Sequence, residues 1–205
     1  MIKNILLDVD GTLMDTENAF YISLNKTLRL YGIHKSYDSA LFGMSTIQVI
    51  DSLKIQSIVG FKEQWENLFA TECEKLDFYP GIEEMIRALS NRAIHFYIIT
   101  SRSRNTVVKL FDNYVINTFI DGAITAEDTE FHKPNPEPII RALAILKARK
   151  DETIYVGDTF SDYSAASAAG ILFGQAGWNK SAINDSYDMV FYHPSELITL
   201  FGGMR

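Results

Sequence analysis

The sequence predicts an α/β protein with an open, doubly wound parallel sheet and a helical insertion. Short apolar runs alternate with helical patterns along most of the chain, and this alternation is typical of such a sheet. The runs are almost continuously apolar, which suits strands that are covered by helices on both faces. About sixty residues after the first run show no strand pattern, which indicates an insertion there.

Five apolar runs are the predicted strands, and helical patterns separate them. In chain order the strands cover residues 2–7, 94–99, 121–125, 153–156 and 171–174. Apolar residues spaced three and four apart predict a helix face after Pro80-Gly81 and another after the proline-rich stretch KPNPEP. The two faces consist of Ile82, Met85, Ile86 and Leu89, and of Ile139, Ile140, Leu143 and Leu146.

The insertion carries two apolar stripes at helical spacing. One runs from Phe20 to Tyr31 and stops at Gly32, a residue type that commonly ends helices. The other begins at Phe61. A connection between a strand and a helix normally takes only a few residues, so we expect a separate helical lobe or lid, here named the cap. The predicted division is a cap over 15–79 and a core over 1–14 and 80–205.

The composition limits the classes of function. The 205 residues carry a formal net charge of −7, whereas a nucleic-acid-binding protein usually shows a basic face. Cys73 is the only cysteine, which excludes an internal disulfide and a multi-cysteine zinc site. The apolar run at the N-terminus is too short for a signal peptide, and no stretch reaches the length of a membrane span. We therefore expect a soluble cytoplasmic protein that binds neither nucleic acid nor a membrane.

The stretch ILLDVDGTLMDT, residues 5–16, ends an apolar run on two acids. In an extended strand alternate side chains share a face, so Asp8 and Asp10 would crowd each other while Val9 points away. Two carboxylates at that range repel unless a proton or a cation lies between them. The pattern therefore predicts a positive group beside these aspartates.

Further polar residues end other predicted strands. Thr100 follows the second strand and Asp158 the fourth, and Lys133 lies in a loop before a helix. Ligands of open α/β sheets bind beyond the carboxyl ends of the strands, so these residues are expected to meet Asp8 and Asp10 there. The residue types suit phosphoryl transfer onto an aspartate.

Each residue type has a place in that chemistry. The carboxylates of Asp8 and Asp158, with a backbone carbonyl, suit Mg²⁺. One Asp8 oxygen could attack phosphorus, and Asp10 could protonate the leaving oxygen and later activate water. Thr100 and Lys133 could bind the phosphoryl oxygens. We expect Asp162 to orient Lys133 or a metal-bound water.

Structural alternatives remain open for several of these residues. Thr100 could be a helix N-cap, Lys133 an exposed charge, and Asp162 an acid in the first turn of a helix. Arg102 and Arg104 could assist an anionic substrate, but we expect both to be exposed to solvent.

Four motifs in chain order, DVDGTLMDT, IITS, KPNPEP and GDTFSD, resemble those of the haloacid dehalogenase-like hydrolase superfamily. They span nearly the whole chain. The insertion, which closes with YPGIEEMIRAL, is similar to the cap of the branch that contains phosphoglycolate phosphatases and β-phosphoglucomutase. The resemblance implies a Rossmann-like core with strand order 3-2-1-4-5 and a mobile helical cap.

The resemblance also implies roles for the motif residues. Asp8 would be the nucleophile and Asp10 the acid/base, and the substrate phosphate would bind to Thr100, Ser101 and Lys133. The implied ligands of Mg²⁺ are Asp8, the backbone carbonyl of Asp10, and Asp158. An acid/base at position 10 favours phosphate chemistry, because dehalogenases of the superfamily lack one there.

The chain departs from the mutase branch at two positions. That branch typically carries a histidine where Phe20 stands and an arginine where Thr46 stands. Water is therefore the expected acceptor, and the sequence predicts a phosphatase acting on a small phosphorylated metabolite. The alternatives are a sugar phosphomutase and a non-catalytic sensor of such metabolites. The substrate could be phosphoglycolate, a sugar phosphate, a nucleotide or pyrophosphate.

Overall fold

A computed structural model describes residues 1–36, 39–111, 114–179 and 183–203 of the chain. The predicted core and cap ranges each include a few residues outside these ranges. The division into core and cap at residues 14/15 and 79/80 stays a prediction, and the name cap is kept below for residues 15–79.

A parallel sheet of six strands, in the order β3-β2-β1-β4-β5-β6, forms the centre of the fold. Its strands are β1 Asn4–Leu7, β2 His95–Ile99, β3 Gly122–Ile124, β4 Thr153–Gly157, β5 Leu172–Ala176 and β6 Met189–Phe191. The five predicted strands and the order 3-2-1-4-5 are confirmed. The sequence did not predict β6, because its three residues are too few to show a pattern.

Helices cover the sheet and form the cap. They are α1 Glu17–Leu30, α2 Thr46–Ser52, α3 Phe61–Cys73, α4 Ile82–Ser90, α5 Arg104–Phe111, α6 Glu137–Leu146, α7 Phe160–Ala169 and α8 Ser195–Phe201. The predicted apolar faces of α4 and α6 are buried at Ile82, Met85, Ile86, Leu89, Ile139 and Leu143, whereas Ile140 is half exposed. Among the described residues, no helix is both long and apolar enough to cross a membrane.

Helix α1 ends where the sequence predicts. Gly32 takes the left-handed conformation with φ +65°, which a residue without Cβ adopts at little cost. Its N–H bonds the carbonyl of Arg29 at 3.1 Å, and the Ile33 N–H bonds the carbonyl of Leu28 at 2.8 Å. These two bonds satisfy carbonyls at the end of the helix and turn the chain away.

Helices α1 and α3 pack against each other through aromatic side chains. Trp65 is buried, its ring centroid lies 5.3 Å from that of Phe20, and its indole N–H donates to Ser23 Oγ at 3.1 Å. Trp65 is thus part of the cap core. The chain leaves and re-enters the core beside β1, because the Tyr79 N–H bonds the Leu13 carbonyl at 2.9 Å. The cap therefore stands over the end of β1 that carries Asp8 and Asp10.

Candidate active site

Gly11 allows the loop after β1 to approach the end of β4. It has φ +78°, and a Cβ built at this position would lie 2.3 Å from Asp158 Oδ2. Any other residue would therefore meet both backbone strain and a steric clash. The Thr12 hydroxyl also donates to Asp158 Oδ1, at 3.4 Å. The Gly-Thr of the first motif thus brings the Asp158 carboxylate to the loop that carries Asp8 and Asp10.

Asp162 has a structural and an electrostatic function at the same time. Thr159 is the N-cap of α7, and Asp162 Oδ2 accepts hydrogen bonds from the Thr159 N–H at 3.0 Å and hydroxyl at 2.6 Å. Its other oxygen, Oδ1, accepts from Lys133 Nζ at 2.7 Å. Asp162 is therefore an acid in the first turn of α7 and also contacts Lys133; the orienting role stays a prediction.

Lys133 is buried and uses all three ammonium hydrogens. It donates to Asp8 Oδ1 at 2.8 Å, to Asp162 Oδ1 at 2.7 Å and to the Tyr155 hydroxyl at 3.0 Å. The alternative of an exposed surface charge is wrong for this residue. Its contacts join the loop after β1, strand β4 and helix α7 at one point.

Negative charge exceeds positive charge in this cluster. Asp8, Asp158 and Asp162 are buried, and each offers a carboxylate oxygen within 4.8 Å of the others. Burial raises the pKa of Asp8 well above its usual range, and neighbouring carboxylates add to the increase although Lys133 opposes it. Burial also raises the pKa of Asp162. The charge of Lys133 and the hydrogen bonds that Asp162 accepts from Lys133, Thr159 and Tyr155 outweigh burial and hold this pKa below its usual range. Lys133 thus compensates Asp162 more fully than Asp8.

The ammonium of Lys133 stays protonated in this environment. Burial would lower the pKa of Lys133, but the carboxylates of Asp162 and Asp8 outweigh burial and raise it above the usual lysine value. Burial and the same carboxylates also raise the pKa of Tyr155. The phenol therefore keeps its proton and donates to Asp162 Oδ1 at 2.8 Å.

The carboxylate of Asp10 faces a different partner. Arg102 donates from Nε to Oδ2 at 2.8 Å and from Nη2 to Oδ1 at 3.0 Å, and the Thr16 hydroxyl also donates to Oδ1. Arg102 is only 4% exposed, so the expectation that it is exposed is wrong. Arg104 is exposed as expected, and it pairs with Asp128 at 2.6 Å.

Thr100 and Ser101 are buried at the carboxyl end of β2, the strand beside β1. The Thr100 hydroxyl accepts the Arg102 N–H at 3.2 Å, so it stabilises the turn after the strand. Thr100 precedes α5 by several residues and is not its N-cap. The structure thus places the two predicted phosphate-binding residues at the strand end next to Asp8.

Sequence reasoning missed Tyr155 and misplaced Arg102. Tyr155 could have been found from the sequence, because it stands within the apolar run that forms β4. A tyrosine buried there needs a hydrogen-bond partner for its hydroxyl. Arg102 has no such signal, because an arginine in a loop is usually exposed. Its partner Asp10 lies 92 residues away in the chain.

A cleft of about 470 Å³ lies between the cap and the core, beside Lys133 and the start of α7. Met44, Gln48 and Asp51 line its cap side, and Lys133 and Ser161 line its core side. Lys133 therefore belongs both to the acidic cluster and to the wall of the cleft, so a ligand in the cleft can reach the cluster.

Comparison with known proteins decides the family. Residues 5–176 match the family model described as haloacid dehalogenase-like hydrolase. The chain belongs to this family. The matched range of this hydrolase includes all the motif residues described above, from Asp8 to Asp162.

Several relatives of the chain are named for phosphate chemistry. The pyrophosphatase PpaX of Bacillus cereus strain G9842 is 28% identical, and the match covers 100% of this chain and 98% of the relative. The PpaX of Bacillus mycoides is 30% identical over 86% of this chain and 84% of its own.

Solved structures share the fold of this haloacid dehalogenase-like hydrolase. A suggested phosphoglycolate phosphatase from Lactobacillus plantarum is 27% identical with a TM-score of 0.85, covering 98% of this chain and 100% of that one. A β-phosphoglucomutase from Clostridium difficile has a TM-score of 0.81 at 19% identity, and the match covers 98% of this chain and 95% of that one. The family membership makes this chain a haloacid dehalogenase-like hydrolase, and several of its relatives are named for phosphatase chemistry.

Proposed function

We propose that this protein is a Mg²⁺-dependent phosphatase that hydrolyses a small phosphomonoester through an aspartyl-phosphate on Asp8. The observation that carries the proposal is the environment of this carboxylate. One Asp8 oxygen is fixed by Lys133 at 2.8 Å, and burial and neighbouring acids leave the group incompletely compensated. Such a carboxylate suits both a cation and the attack on phosphorus.

The described residues fit a magnesium ion. Asp8 and Asp158 provide hard carboxylate oxygens that lie close to each other, and the backbone carbonyl of Asp10 would complete the protein ligands. Asp162 is already engaged by Lys133, Tyr155 and Thr159, so it would act behind the ligands. When bound, Mg²⁺ would supply the positive charge that the cluster lacks and that draws a phosphate towards Asp8.

In the first half-reaction one Asp8 oxygen attacks phosphorus. The bond between phosphorus and the ester oxygen breaks, and Asp10 donates a proton to the departing oxygen. Lys133 keeps the other Asp8 oxygen in place and neutralises charge beside the reacting group. The products are the alcohol and phosphorylated Asp8.

In the second half-reaction water attacks the phosphorus of phosphorylated Asp8. Asp10, now a carboxylate, takes a proton from this water. The bond between phosphorus and the Asp8 oxygen breaks, which restores the Asp8 carboxylate and releases inorganic phosphate. Thr100 and Ser101, at the end of β2, would bind phosphoryl oxygens throughout.

Two features of the cap support water as the acceptor. Phe20 is fully buried, and Thr46 begins α2 and is also buried. Neither can supply the histidine or arginine that the mutase branch carries at these positions. A phosphomutase would convert its substrate without net release of phosphate, and a metabolite sensor would bind without turnover.

The lining of the cleft supports a substrate whose only anionic group is the phosphate, so that the leaving group is uncharged apart from its ester oxygen. Among the described residues that line it, Lys133 is the cation, and its three hydrogens are already donated within the cluster. The other polar side chains of the wall are amide, hydroxyl and carboxylate groups, among them Gln48, Ser161 and Asp51. We therefore expect hydroxylated, sugar-like monoesters to be preferred over phosphoglycolate. Pyrophosphate is the second candidate, because the PpaX relatives are named for it.

A phosphate-release screen tests the proposal. The panel should contain sugar phosphates, phosphoglycolate, nucleotides and pyrophosphate, all with Mg²⁺. We expect release of inorganic phosphate, with kcat/KM at least about 10-fold higher for a sugar phosphate than for phosphoglycolate or pyrophosphate. Conversion of a sugar phosphate without release would establish a mutase instead, and binding without turnover across the panel would establish a sensor.

Removal of divalent cations is expected to abolish turnover. EDTA should lower phosphate release to background, and excess Mg²⁺ should restore it, because Asp8 cannot approach an anionic phosphate without added positive charge. Mg²⁺ should also raise the melting temperature in the absence of substrate, since binding to the folded state stabilises it. Undiminished activity in chelator would contradict the requirement for a metal.

A further inference from the structure

Arg102 is a buried arginine to which the proposed reaction has so far given no part. A charged side chain at 4% exposure is rare without dedicated partners. Its guanidinium meets the Asp10 carboxylate edge to edge, with two bonds of 2.8 and 3.0 Å. This planar two-bond contact fixes both the distance and the tilt of the carboxylate.

The faces of the same guanidinium contact the cap. Its central carbon lies 4.1 Å from the ring centroid of Phe69 on α3 and 5.3 Å from that of Phe20 on α1. Cations are attracted to aromatic faces within this range, and more strongly when both are shielded from water. The edge of Arg102 thus binds a residue of the core, whereas its faces bind two helices of the cap.

We propose that Arg102 is a positioning residue that couples the cap to the orientation of Asp10. The guanidinium holds the Asp10 carboxylate, and the rings of Phe20 and Phe69 hold the guanidinium only while α1 and α3 lie over it. The inference rests on the proposed function, since it concerns the acid/base of that reaction.

Lysine cannot replace arginine in this arrangement. An ammonium keeps the charge, but it lacks the planar fork that donates two parallel bonds and the flat face that stacks on a ring. Arg102→Lys therefore tests orientation separately from charge. Arg104→Lys is the matched control, because Arg104 is exposed and pairs with Asp128 away from Asp10.

The choice of leaving group makes the test specific for acid/base orientation. An alkoxide leaves only with a proton, whereas an aryloxide such as p-nitrophenolate leaves without one. With Mg²⁺ present, Arg102→Lys should lower kcat/KM for the alkyl phosphate by about 10- to 100-fold and for p-nitrophenyl phosphate by less than about 3-fold. Arg104→Lys should change neither value by more than about 2-fold.

A second pair of variants tests the connection to the cap. Phe69→Leu removes a ring that Arg102 contacts, and Phe61→Leu removes a buried ring of the same cap that contacts Tyr31 and Trp65 instead. Phe69→Leu should lower kcat/KM for the alkyl phosphate by about 3- to 10-fold and leave kcat/KM for p-nitrophenyl phosphate nearly unchanged. Phe61→Leu should show no such dependence on the leaving group. This pair keeps the test valid if Arg102→Lys does not fold.

The outcomes separate this inference from the proposed function. Equal losses on alkyl and aryl phosphates in Arg102→Lys and Phe69→Leu, or no loss in either, would overturn the positioning role while leaving the phosphatase intact. A wild-type protein that releases no phosphate from either substrate would instead remove the proposed function itself.

Discussion

Asparagine in place of Asp8 is expected to lower the rate of phosphate release by about 10⁴-fold or more. The amide keeps the size of the side chain, but it lacks the anionic oxygen that attacks phosphorus. The measurement is single-turnover and steady-state phosphate release with p-nitrophenyl phosphate and Mg²⁺. Asp151→Asn is the control, because Asp151 is exposed and pairs with Arg149 on the surface. Phosphate release by Asp8→Asn at the wild-type rate would refute the assignment of Asp8 as the nucleophile.

The same variant should remain folded, and its stability should depend on pH in a defined direction. Because the pKa of Asp8 is raised in the folded state, its ionised form costs stability above that pKa, and the cost disappears as the pH falls through it. Without metal, Asp8→Asn should therefore melt no lower than wild type at neutral pH, and the difference should shrink on acidification. The stabilisation by Mg²⁺ should be smaller in the variant. A variant that melts well below wild type at neutral pH would contradict the raised pKa.

Methionine in place of Lys133 is expected to have the largest effect on stability, about 3–5 kcal/mol of unfolding free energy. The substitution keeps much of the apolar side chain but removes the ammonium that contacts Asp8, Asp162 and Tyr155. Buried carboxylates then remain without a compensating charge. Urea unfolding in the presence of EDTA measures the loss, and phosphate release should fall in parallel because Asp8 loses its fixed orientation.

Lys3→Met provides a control with the same kind of contact in a different environment. Lys3 donates to Glu152 at 2.7 Å on the surface, where such a pair contributes at most about 1 kcal/mol. Adding Asp162→Asn to Lys133→Met should recover part of the lost stability, because it removes one of the uncompensated charges. If Lys133→Met is as stable as Lys3→Met, the buried cluster does not depend on its ammonium.

Local pattern was sufficient to predict most of the sheet. Strands β1 to β5 are apolar runs that helices cover, and a run of this kind is visible in the sequence itself. The end of α1 at Gly32 was equally readable, because the left-handed conformation favours glycine. The sequence did not reveal β6, which is too short to show a pattern.

The sequence by itself determined which residues are gathered at the site. Asp8, Asp158 and Thr100 follow parallel strands, and the carboxyl ends of such strands lie at one edge of a sheet. Lys133 was expected there from its position in a loop before a helix, and Asp162 was expected to orient Lys133 or a metal-bound water. The contact of 2.7 Å between Lys133 and Asp162 agrees with the first of these two alternatives for Asp162.

Only the tertiary structure decided how charge is distributed within the site. It pairs Lys133 with Asp8 and Asp162, and it directs Asp10 towards Arg102. It also brings the Tyr155 hydroxyl into contact with Lys133 and Asp162. The physical reason is that burial and charge compensation depend on side chains far apart in the chain, 92 residues for Arg102 and Asp10 and 125 for Lys133 and Asp8. Sequence patterns record the local periodicity of a strand or helix, whereas desolvation and ion pairing arise only after those elements have packed together.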